Sequence, residues 1–347
     1  MKLIRNLGIS VASLVLFLLI GEGVARMAGV VPRKPRAPMF SWAERGELYT
    51  MTPGEQWVMP GNLKLVRVNS LGLRGPEIRP KGDWKRVLLL GDSVAFGYDV
   101  VEKRALPARL QREVFERGMP VEIVGAAVPG WCARQHRLFL REHGAELTPD
   151  LIVATVVLND IPELQEGQGE LASSVRVANV VNVLAARSAL ATWVRKLLQS
   201  SDDPFNRADA IQRLTREPDS GYARAAVGAE LEEIAQFEAT ARELGASLAL
   251  VVLPFRFQLD EPPTGPVEPQ ATILAFARER GIPALDLLPT LREIPPREAF
   301  LDQVHLTELG HEVVARRVGE WLLAQDLLEG GAASRPSGRG PESASAS

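Results

Sequence analysis

Five short apolar runs alternate along this chain with longer segments whose apolar residues recur at helical spacing. Runs of Val, Leu and Ile bounded by turn residues indicate buried strands. Strands are predicted at residues 86–91, 121–126, 150–158, 247–254 and 283–287. Helices are predicted near residues 105–118, 132–145, 222–244, 268–281 and 307–324. The alternation predicts an α/β fold of three layers, α/β/α, in which helices cover both faces of a five-stranded parallel sheet.

The composition limits the classes of protein to which the chain can belong. Its 347 residues, 46% hydrophobic and only 6% aromatic, are enough for one substantial α/β domain with extensions. A net charge of −3 gives no electrostatic footprint for nucleic acid. The single cysteine, Cys132, excludes an internal disulfide and a multi-cysteine zinc site. His136 and His143 are expected at the surface, and neither a metal nor a cofactor is predicted.

A candidate nucleophile follows the first predicted strand. The apolar residues 87–90 lead into Gly91-Asp92-Ser93, which predicts a tight turn that exposes Ser93 at the carboxyl end of the sheet. In such a turn the serine N–H can point at a developing anion. A serine hydroxyl is a weak nucleophile, so it needs a base within hydrogen-bonding reach. Gly-Asp-Ser is also a common turn sequence and does not establish catalysis alone.

Asp302-Gln-Val-His305, near the end of the chain, supplies a candidate base and a carboxylate to orient it. We expect the two side chains to lie one above the other at the entrance of a helix, because residues three apart share a helix face. The Asp302 carboxylate would then accept from Nδ1 of His305 while Nε2 faces Ser93. A capping aspartate followed by a surface histidine has the same pattern. Serine, imidazole and carboxylate together predict a serine hydrolase.

These residues make the chain resemble the SGNH or GDSL-type hydrolases, a superfamily of serine esterases, lipases, thioesterases and carbohydrate deacetylases. Four blocks match in the family's order, and the resemblance covers roughly residues 69 to 323. The blocks are Leu-Gly-Asp-Ser-Val-Ala-Phe-Gly at 90–97, Val-Gly-Ala-Ala-Val-Pro-Gly-Trp at 124–131, Val-Leu-Asn-Asp at 157–160 and Asp-Gln-Val-His at 302–305. The resemblance also implies a flavodoxin-like strand order, which the spacing of the strands does not supply.

The resemblance implies a role for each matched residue. Ser93 is the expected nucleophile, His305 the base and Asp302 the carboxylate that orients it. The expected oxyanion hole consists of the N–H of Ser93, the N–H of Gly130 and the side-chain amide of Asn159. A glycine suits such a donor because a Cβ would obstruct the substrate, and an amide suits it because it donates without carrying a charge.

Two positions depart from the family's pattern. Gly125 stands where the family usually carries Asn, and Val157 stands where it usually carries Gly. Neither is an assigned catalytic group, but both leave the shape of the acyl pocket open. Residues 68–77 also resemble a stretch upstream of the serine in a membrane-anchored bacterial subset of the superfamily. We expect this stretch to form a turn-rich cap near the first strand.

The amino terminus carries a targeting signal. Basic residues precede an apolar run at 7–20, which is short for a membrane span and long enough for a signal sequence. Glu22 and Arg26 leave no clean cleavage site, so residues 1–29 are predicted to be an uncleaved signal anchor with a cytoplasmic amino end. Cleaved export is one alternative and a buried amphipathic helix is another. Anchoring and export both place the catalytic domain outside the cytoplasmic membrane.

The rest of the chain divides by composition. Residues 30–84 are predicted to be a Pro- and Arg-rich spacer with an N-terminal extension, and residues 85–327 the hydrolase domain. Residues 161–221 interrupt the strand–helix alternation, and their apolar spacing fits a lid over the site or an ordinary packed crossover helix equally well. Residues 328–347 are predicted to be a disordered tail, because they lack an apolar period.

The sequence therefore predicts an extracytoplasmic serine esterase or deacylase that acts on O-acyl groups of envelope or exopolysaccharide sugars or lipids. An O-acyltransferase with the same triad, or a silent carbohydrate-binding protein on this fold, is the alternative. The expected partners are a small-molecule, glycan or lipid ester and a membrane, without nucleic acid. A phosphoacceptor role for Asp92 is excluded, because the required lysine and second acidic cluster are missing at the next strand ends. The oligomeric state stays open.

Overall fold

The computed structural model describes residues 2–30, 39–42, 48–54, 56–58, 65–165, 173, 175–177, 179–180, 183, 187–198, 208–260 and 267–328. The strands are β1 (Phe40–Trp42), β2 (Tyr49–Met51), β3 (Gln56–Val58), β4 (Leu65–Arg67), β5 (Lys85–Gly91), β6 (Val121–Ala127), β7 (Leu151–Val157), β8 (Ser247–Leu253) and β9 (Ala284–Asp286). The helices are α1 (Lys2–Met27), α2 (Ser93–Phe96), α3 (Leu106–Glu116), α4 (Ala133–Leu147), α5 (Asp160–Leu164), α6 (Ala189–Leu198), α7 (Ala208–Arg216), α8 (Gly221–Glu243), α9 (Phe257–Asp260), α10 (Gln270–Glu279), α11 (Leu288–Leu291), α12 (Pro296–Ala299) and α13 (Glu308–Ala324).

Strands β5 to β9 form one parallel sheet in the order β6-β5-β7-β8-β9. This order is the flavodoxin-like one, in which the chain reverses direction across the sheet between β6 and β7. Each of the five predicted strands lies within one residue of its observed bounds, and the predicted fold class is confirmed. Parallel neighbours need long crossovers, and α3, α4, α8 and α10 supply them.

Alternating side chains of β5 build the two halves of the core. Leu88 and Leu90 lie in the same apolar cluster as Phe139 of α4 and Phe237 of α8. Their neighbours Val87 and Leu89 point to the opposite face, in a cluster with helices α3 and α13. All seven residues of β7 are buried, as expected for a strand covered on both faces. These clusters form the three layers and fix the edge where the strands end.

Two small antiparallel hairpins lie in the N-terminal extension. Strand β1 pairs with β2 and strand β3 pairs with β4. Leu48, Tyr49 and Met51 are buried in the same apolar cluster as one face of the central sheet. The described part of the extension therefore packs on the catalytic domain.

Helix α1 is longer than the apolar run in the sequence indicates. It continues through Glu22, whose carboxylate pairs with Arg26 one turn later at 2.7 Å, and ends at Met27. Residues Gly8–Met27 are apolar and long enough to cross a membrane, since 20 residues rise about 30 Å. A signal sequence has the same properties, so the helix fits an anchor or an export signal. Its middle is open to the surroundings, as at Phe17, which is 70% exposed.

The segment 161–221 is described in part. Helices α5, α6 and α7 lie within it, whereas residues 166–172 and 199–207 lie outside the described residues. The lid therefore stays a prediction. Of the predicted tail, Leu328 is buried in the core, and residues 329–347 lie outside the described residues.

Candidate active site

The turn after β5 holds Ser93 at the carboxyl edge of the sheet. Asp92 caps the short helix that follows, because its Oδ1 accepts a hydrogen bond from the N–H of Val94 at 2.8 Å. Ser93 is the first residue of that helix. Gly91 is required where the strand ends, since a Cβ there would lie 2.2 Å from Oγ1 of Thr155. The glycine thus lets the turn pass close to β7 and leaves the serine hydroxyl at the edge.

His305 joins the serine to Asp302. Its Nε2 lies 2.9 Å from Oγ of Ser93, and its Nδ1 lies 2.7 Å from Oδ2 of Asp302. The other carboxylate oxygen, Oδ1, accepts hydrogen bonds from the N–H groups of Val304 and His305, both at 2.8 Å. The imidazole is only 7% exposed. Ser93 lies about two hundred residues before Asp302 and His305 in the sequence, and the fold therefore joins all three in one hydrogen-bonded row.

The local structure around His305 differs from the expectation. Asp302 and His305 lie in a turn ahead of α13, not on a shared face of that helix. The N–H of Leu301 donates to the carbonyl of His305 at 2.7 Å, which closes the turn. The ring of Tyr98 stacks on the imidazole with centroids 4.6 Å apart, a contact that the sequence analysis missed. The imidazole is thus oriented by a turn and an aromatic ring.

Burial raises the pKa of Asp302, but hydrogen bonds from the His305 side chain and backbone, with its charge, outweigh that effect and hold the pKa below its usual value. The carboxylate therefore stays ionised at neutral pH, as needed to hold the Nδ1–H tautomer of the imidazole.

Arg74 supports the helix that carries the serine. Its guanidinium donates hydrogen bonds to the carbonyls of Phe96, Gly97 and Val100, all between 2.7 and 2.8 Å. The first two carbonyls lie at the end of α2, where a helix leaves its acceptors unpaired, and the third lies in the loop that follows. The stretch 68–77, for which the sequence predicts no role beyond a cap, thus supplies the positive group that fixes the far end of the turn carrying Ser93.

Gly130 and the serine present free N–H groups. In the described part of the chain, neither the N–H of Ser93 nor that of Gly130 makes a hydrogen bond. Gly130 has a φ of 81°, and a Cβ there would lie 2.8 Å from the hydroxyl oxygen of Tyr49. Tyr49 donates that hydroxyl to the carbonyl of Pro129 at 3.2 Å. Glycine is favoured here because a side chain would be strained at this positive φ and would crowd the Tyr49 hydroxyl.

Asn159 follows β7, and its amide is already engaged. Its Nδ2 donates to Oδ2 of Asp92 and to Oε1 of Glu163, both at 3.2 Å. Its Oδ1 is buried and has no hydrogen-bond partner among the described residues. An exchange of the two amide atoms would place an oxygen against two carboxylates, so the orientation is well defined.

Buried carboxyl groups surround Asn159. Glu230 of α8 is fully buried, and burial together with the charge of Glu233 raises its pKa to about 8. Burial also raises the pKa of Asp160 and of Asp92. Oδ2 of Asp160 accepts a hydrogen bond from the N–H of Val157 at 2.9 Å. We name Asn159, Asp160, Glu163 and Glu230 the acidic pocket.

The remaining histidines are more buried than the sequence predicts. His136 was expected at the surface, but it is buried against the rings of Trp131 and Phe237, and burial lowers its pKa to about 4. His143 is half-buried. Burial lowers the pKa of His311 to about 3. Within the described ranges, no three His, Cys, Asp or Glu side chains come together as metal ligands do.

A separate apolar cleft of about 840 Å³ runs along strand β6 and is lined by Trp84, Phe115 and Gly125 among others. Neither Ser93 nor His305 lines it. The packing around the cleft explains why Gly125 stands where the family usually carries Asn. A Cβ at Gly125 would lie 2.7 Å from Cγ of a proline in α3. The small residue there therefore allows α3 to pack against the edge strand.

A three-layer α/β fold with a serine at the carboxyl edge of its sheet is the architecture of many hydrolases. A family model described as GDSL-like lipase/acylhydrolase matches residues 89–313, which is more than half of the chain. The chain belongs to this family and is an ester-hydrolysing enzyme. No curated protein matches it in sequence.

Solved structures similar to the chain have low sequence identity. The crystal structure of TesA is 15% identical, with a TM-score of 0.42, and the match covers 71% of this chain and 100% of that one. The lipase/acylhydrolase from Enterococcus faecalis is 15% identical, with a TM-score of 0.40 and coverage of 70% and 96%. A catalytic mutant of an acetylxylan esterase from Geobacillus stearothermophilus is 11% identical, with a TM-score of 0.42 and coverage of 70% and 96%.

Proposed function

We propose that the chain is an extracytoplasmic serine esterase or deacylase that works through an acyl-enzyme. The hydrogen-bonded row of Asp302, His305 and Ser93, with contacts of 2.7 and 2.9 Å, is the observation that carries the proposal. A nucleophile, a base and a group that orients the base are the minimum for activating a serine hydroxyl.

The reaction proceeds in two steps. Nε2 of His305 takes the proton of Ser93 as Oγ attacks the ester carbonyl, and Asp302 stabilises the imidazolium that forms. His305 then gives that proton to the departing alcohol oxygen, which leaves an acyl-serine. Water attacks the acyl group next and passes a proton to His305. The carboxylic acid departs as that proton returns to Oγ of the serine.

The oxyanion is proposed to be held by three donors. The free N–H groups of Ser93 and Gly130 are available without rearrangement. Asn159 differs, because both of its amide hydrogens are directed at carboxylates. For Asn159 to donate to substrate, its hydrogen bond to Glu163 is exchanged for one to the oxyanion, while the bond to Asp92 keeps the amide in place. Each fixed donor contributes about 3–4 kcal/mol to such a step.

The proposed substrates are O-acyl groups of envelope or exopolysaccharide sugars, or of lipids. Residues 1–29 are proposed to anchor the enzyme, with residues 30–84 as spacer and extension, residues 85–327 as the catalytic domain and residues 161–221 as a lid. Export after cleavage is the alternative for the first segment. An acyltransferase in which a sugar hydroxyl replaces water is the second candidate function, because the same row of side chains serves both reactions.

The test compares the full chain with Ser93→Ala in detergent for labelling by a fluorophosphonate and for hydrolysis of p-nitrophenyl acetate. We expect labelling to disappear and hydrolysis to fall by at least about 10³-fold in the variant, because the nucleophile is removed. Equal labelling of both proteins would contradict the assignment of the serine. A wild type that is labelled, but transfers its acyl group to an added sugar faster than to water, would favour the acyltransferase.

A further inference from the structure

Helix α1 carries a carboxylate close to the end of its apolar span. Glu22 lies five residues before the end of the helix, and its oxygens accept hydrogen bonds from Oγ of Ser188 at 2.8 Å and from the N–H groups of Ala189 and Leu190 at 3.0 and 2.9 Å. Arg26 supplies the countercharge at 2.7 Å. A carboxylate in an apolar segment is rare unless such partners compensate it.

The three donors belong to the start of α6, in the segment 161–221. The first N–H groups of a helix have no partner within it, and a negative charge there interacts favourably with the helix dipole. Glu22 therefore caps α6 from a helix that is more than 160 residues earlier in the chain. Without α1, the N–H groups of Ala189 and Leu190 would lose this acceptor.

A close contact between Gly21 and the side chain of Leu190 accompanies the cap. A Cβ added at Gly21 would lie 2.9 Å from Cδ2 of Leu190, so the glycine permits α6 to pack against α1. Ala25, one turn further along α1, is fully buried, whereas Phe17 is 70% exposed. The contact is thus confined to the carboxyl end of α1, where a spanning helix leaves the bilayer.

An apolar side chain of α6 remains exposed beside this contact. Val194 is 42% exposed and lies one turn beyond Leu190 on the same face of α6. Helix α1 is apolar and long enough to cross a membrane, so in an anchored chain the lipid around its end is the apolar medium within reach of Val194.

We propose that α1 is a retained structural part of the mature enzyme and that Glu22 fixes helix α6 at the bilayer surface, with Val194 against lipid. Ala189 at the start of α6 follows Asn159 by thirty residues, so this contact tethers the carboxyl edge of the sheet to the membrane surface. In so far as the chain is the proposed esterase, its substrate is then an ester presented at the membrane surface, such as an acylated lipid.

The first experiment traps the contact between α1 and α6. Gly21→Cys and Leu190→Cys are combined in the full chain, with a specific protease site inserted within residues 31–38, and the membranes are oxidised and cleaved. We expect the two fragments to stay joined on a gel until they are reduced. The matched control combines Gly8→Cys with Leu190→Cys, because position 8 has no neighbour within 4 Å and lies about 20 Å along the helix from position 21.

Adding Glu22→Ala to the reactive pair should slow crosslinking about fivefold, since it removes the cap. Equal crosslinking of the two pairs, or none in either, would overturn the proposal. So would a mature chain whose amino terminus begins after Glu22, because cleavage there removes the cap. Cys132 is buried and stays unchanged in every variant.

The second experiment reports contact with lipid independently of catalysis. A fluorophore on Val194→Cys in vesicles should shift to the blue and be quenched by spin-labelled lipid, while the same fluorophore on Phe115→Cys, at an exposed apolar position of α3, should not. Equal quenching at both positions, or no quenching at Val194, would show that α6 does not face the bilayer. Loss of esterase activity would leave this readout unchanged, so the two proposals fail separately.

Discussion

The two sides of the candidate site differ in how their polar groups are satisfied. On the serine side, His305 uses both ring nitrogens and Asp302 uses both carboxylate oxygens in hydrogen bonds. In the acidic pocket, Oδ1 of Asn159, Oδ1 of Asp160 and both oxygens of Glu230 are buried without a hydrogen-bond partner among the described residues. The serine side is arranged in advance, whereas the acidic pocket holds buried carboxyl groups whose pKa values are raised.

The difference indicates what each side can contribute to catalysis. A donor that is already oriented and otherwise unused costs no rearrangement when charge develops in the transition state. A buried carboxyl group without hydrogen-bond partners instead stays protonated, and its burial lowers the stability of the fold by about 1–3 kcal/mol. Asn159 belongs to both sides, because it contacts Asp92 behind the serine and Glu163 in the pocket. Its role is therefore the most informative one to test.

Among the variants that test this comparison, Asn159→Ala is predicted to have the largest effect. If the amide stabilises the oxyanion, kcat for p-nitrophenyl acetate should fall by about 10²–10³-fold with little change in KM, since the donor acts mainly in the transition state. Steady-state kinetics measures both constants, and thermal unfolding reports any loss of the fold.

Glu163→Ala is the matched control, because it removes the other carboxylate that holds the amide. We expect kcat to change by less than about tenfold, since Asp92 still orients the amide and the competing acceptor is gone. Similar losses in the two variants would show that Asn159 serves the acidic pocket and not the oxyanion.

The sequence predicts the serine side of the molecule better than the pocket. Gly91-Asp92-Ser93 and Asp302-Gln-Val-His305 are local patterns, and the strands that position them are short apolar runs with clear boundaries. Glu230 lies within a helix that carries four other glutamates, and nothing in the local spacing distinguishes it from them. Its burial depends on how α8 packs, which is a tertiary property.

The same limit applies to long-range contacts made by a single side chain. Arg74 was part of a stretch with a recognised resemblance, yet the carbonyls it binds lie more than twenty residues later. Glu22 looked like an obstacle to signal cleavage, and its partners in α6 lie far along the chain. A periodic pattern predicts which face of an element is buried, but it does not identify the partner of one charge.

Arg74→Ala should have the next largest effect and would test how the serine side is held. The change leaves three carbonyls at the end of α2 and in the loop after it without their donor, so we expect the free energy of unfolding to fall by about 2–3 kcal/mol. Chemical denaturation measures the change. Arg67→Ala is the control, because Arg67 makes an exposed ion pair with Glu102 that is worth at most about 1 kcal/mol.

Activity should fall in Arg74→Ala as well, because α2 carries Ser93 and leads into Tyr98, which stacks on the imidazole. Equal destabilisation of the two arginine variants would mean that the turn carrying Ser93 is stable without Arg74. The order of the serine side would then depend on Asp92 and the sheet.

Glu230→Gln is predicted to have the smallest effect, and only at high pH. The folded protein holds the pKa of Glu230 at about 8, above its usual 4.5, so the folded state keeps a proton that the unfolded state releases. Stability from this group is therefore complete below about pH 4.5 and is lost as the pH rises through about 8. Glutamine cannot ionise, so the stability of the variant relative to the wild type should rise by at least about 1 kcal/mol between pH 5 and pH 9.

Denaturant unfolding at pH 5, 7 and 9 measures this gain, and Glu232→Gln, an exposed position on the same helix, should show none. A pH-independent difference for Glu230→Gln would mean that the carboxyl is equally ionised in both states and has found a partner. The contrast between the two sides of the site would then disappear, because the acidic pocket would be as fully paired as the serine side. A gain that grows with pH would instead show that the pocket keeps a neutral carboxyl behind Asn159, so that raising the pH destabilises this side of the site while the pairing of Asp302 and His305 is unaffected.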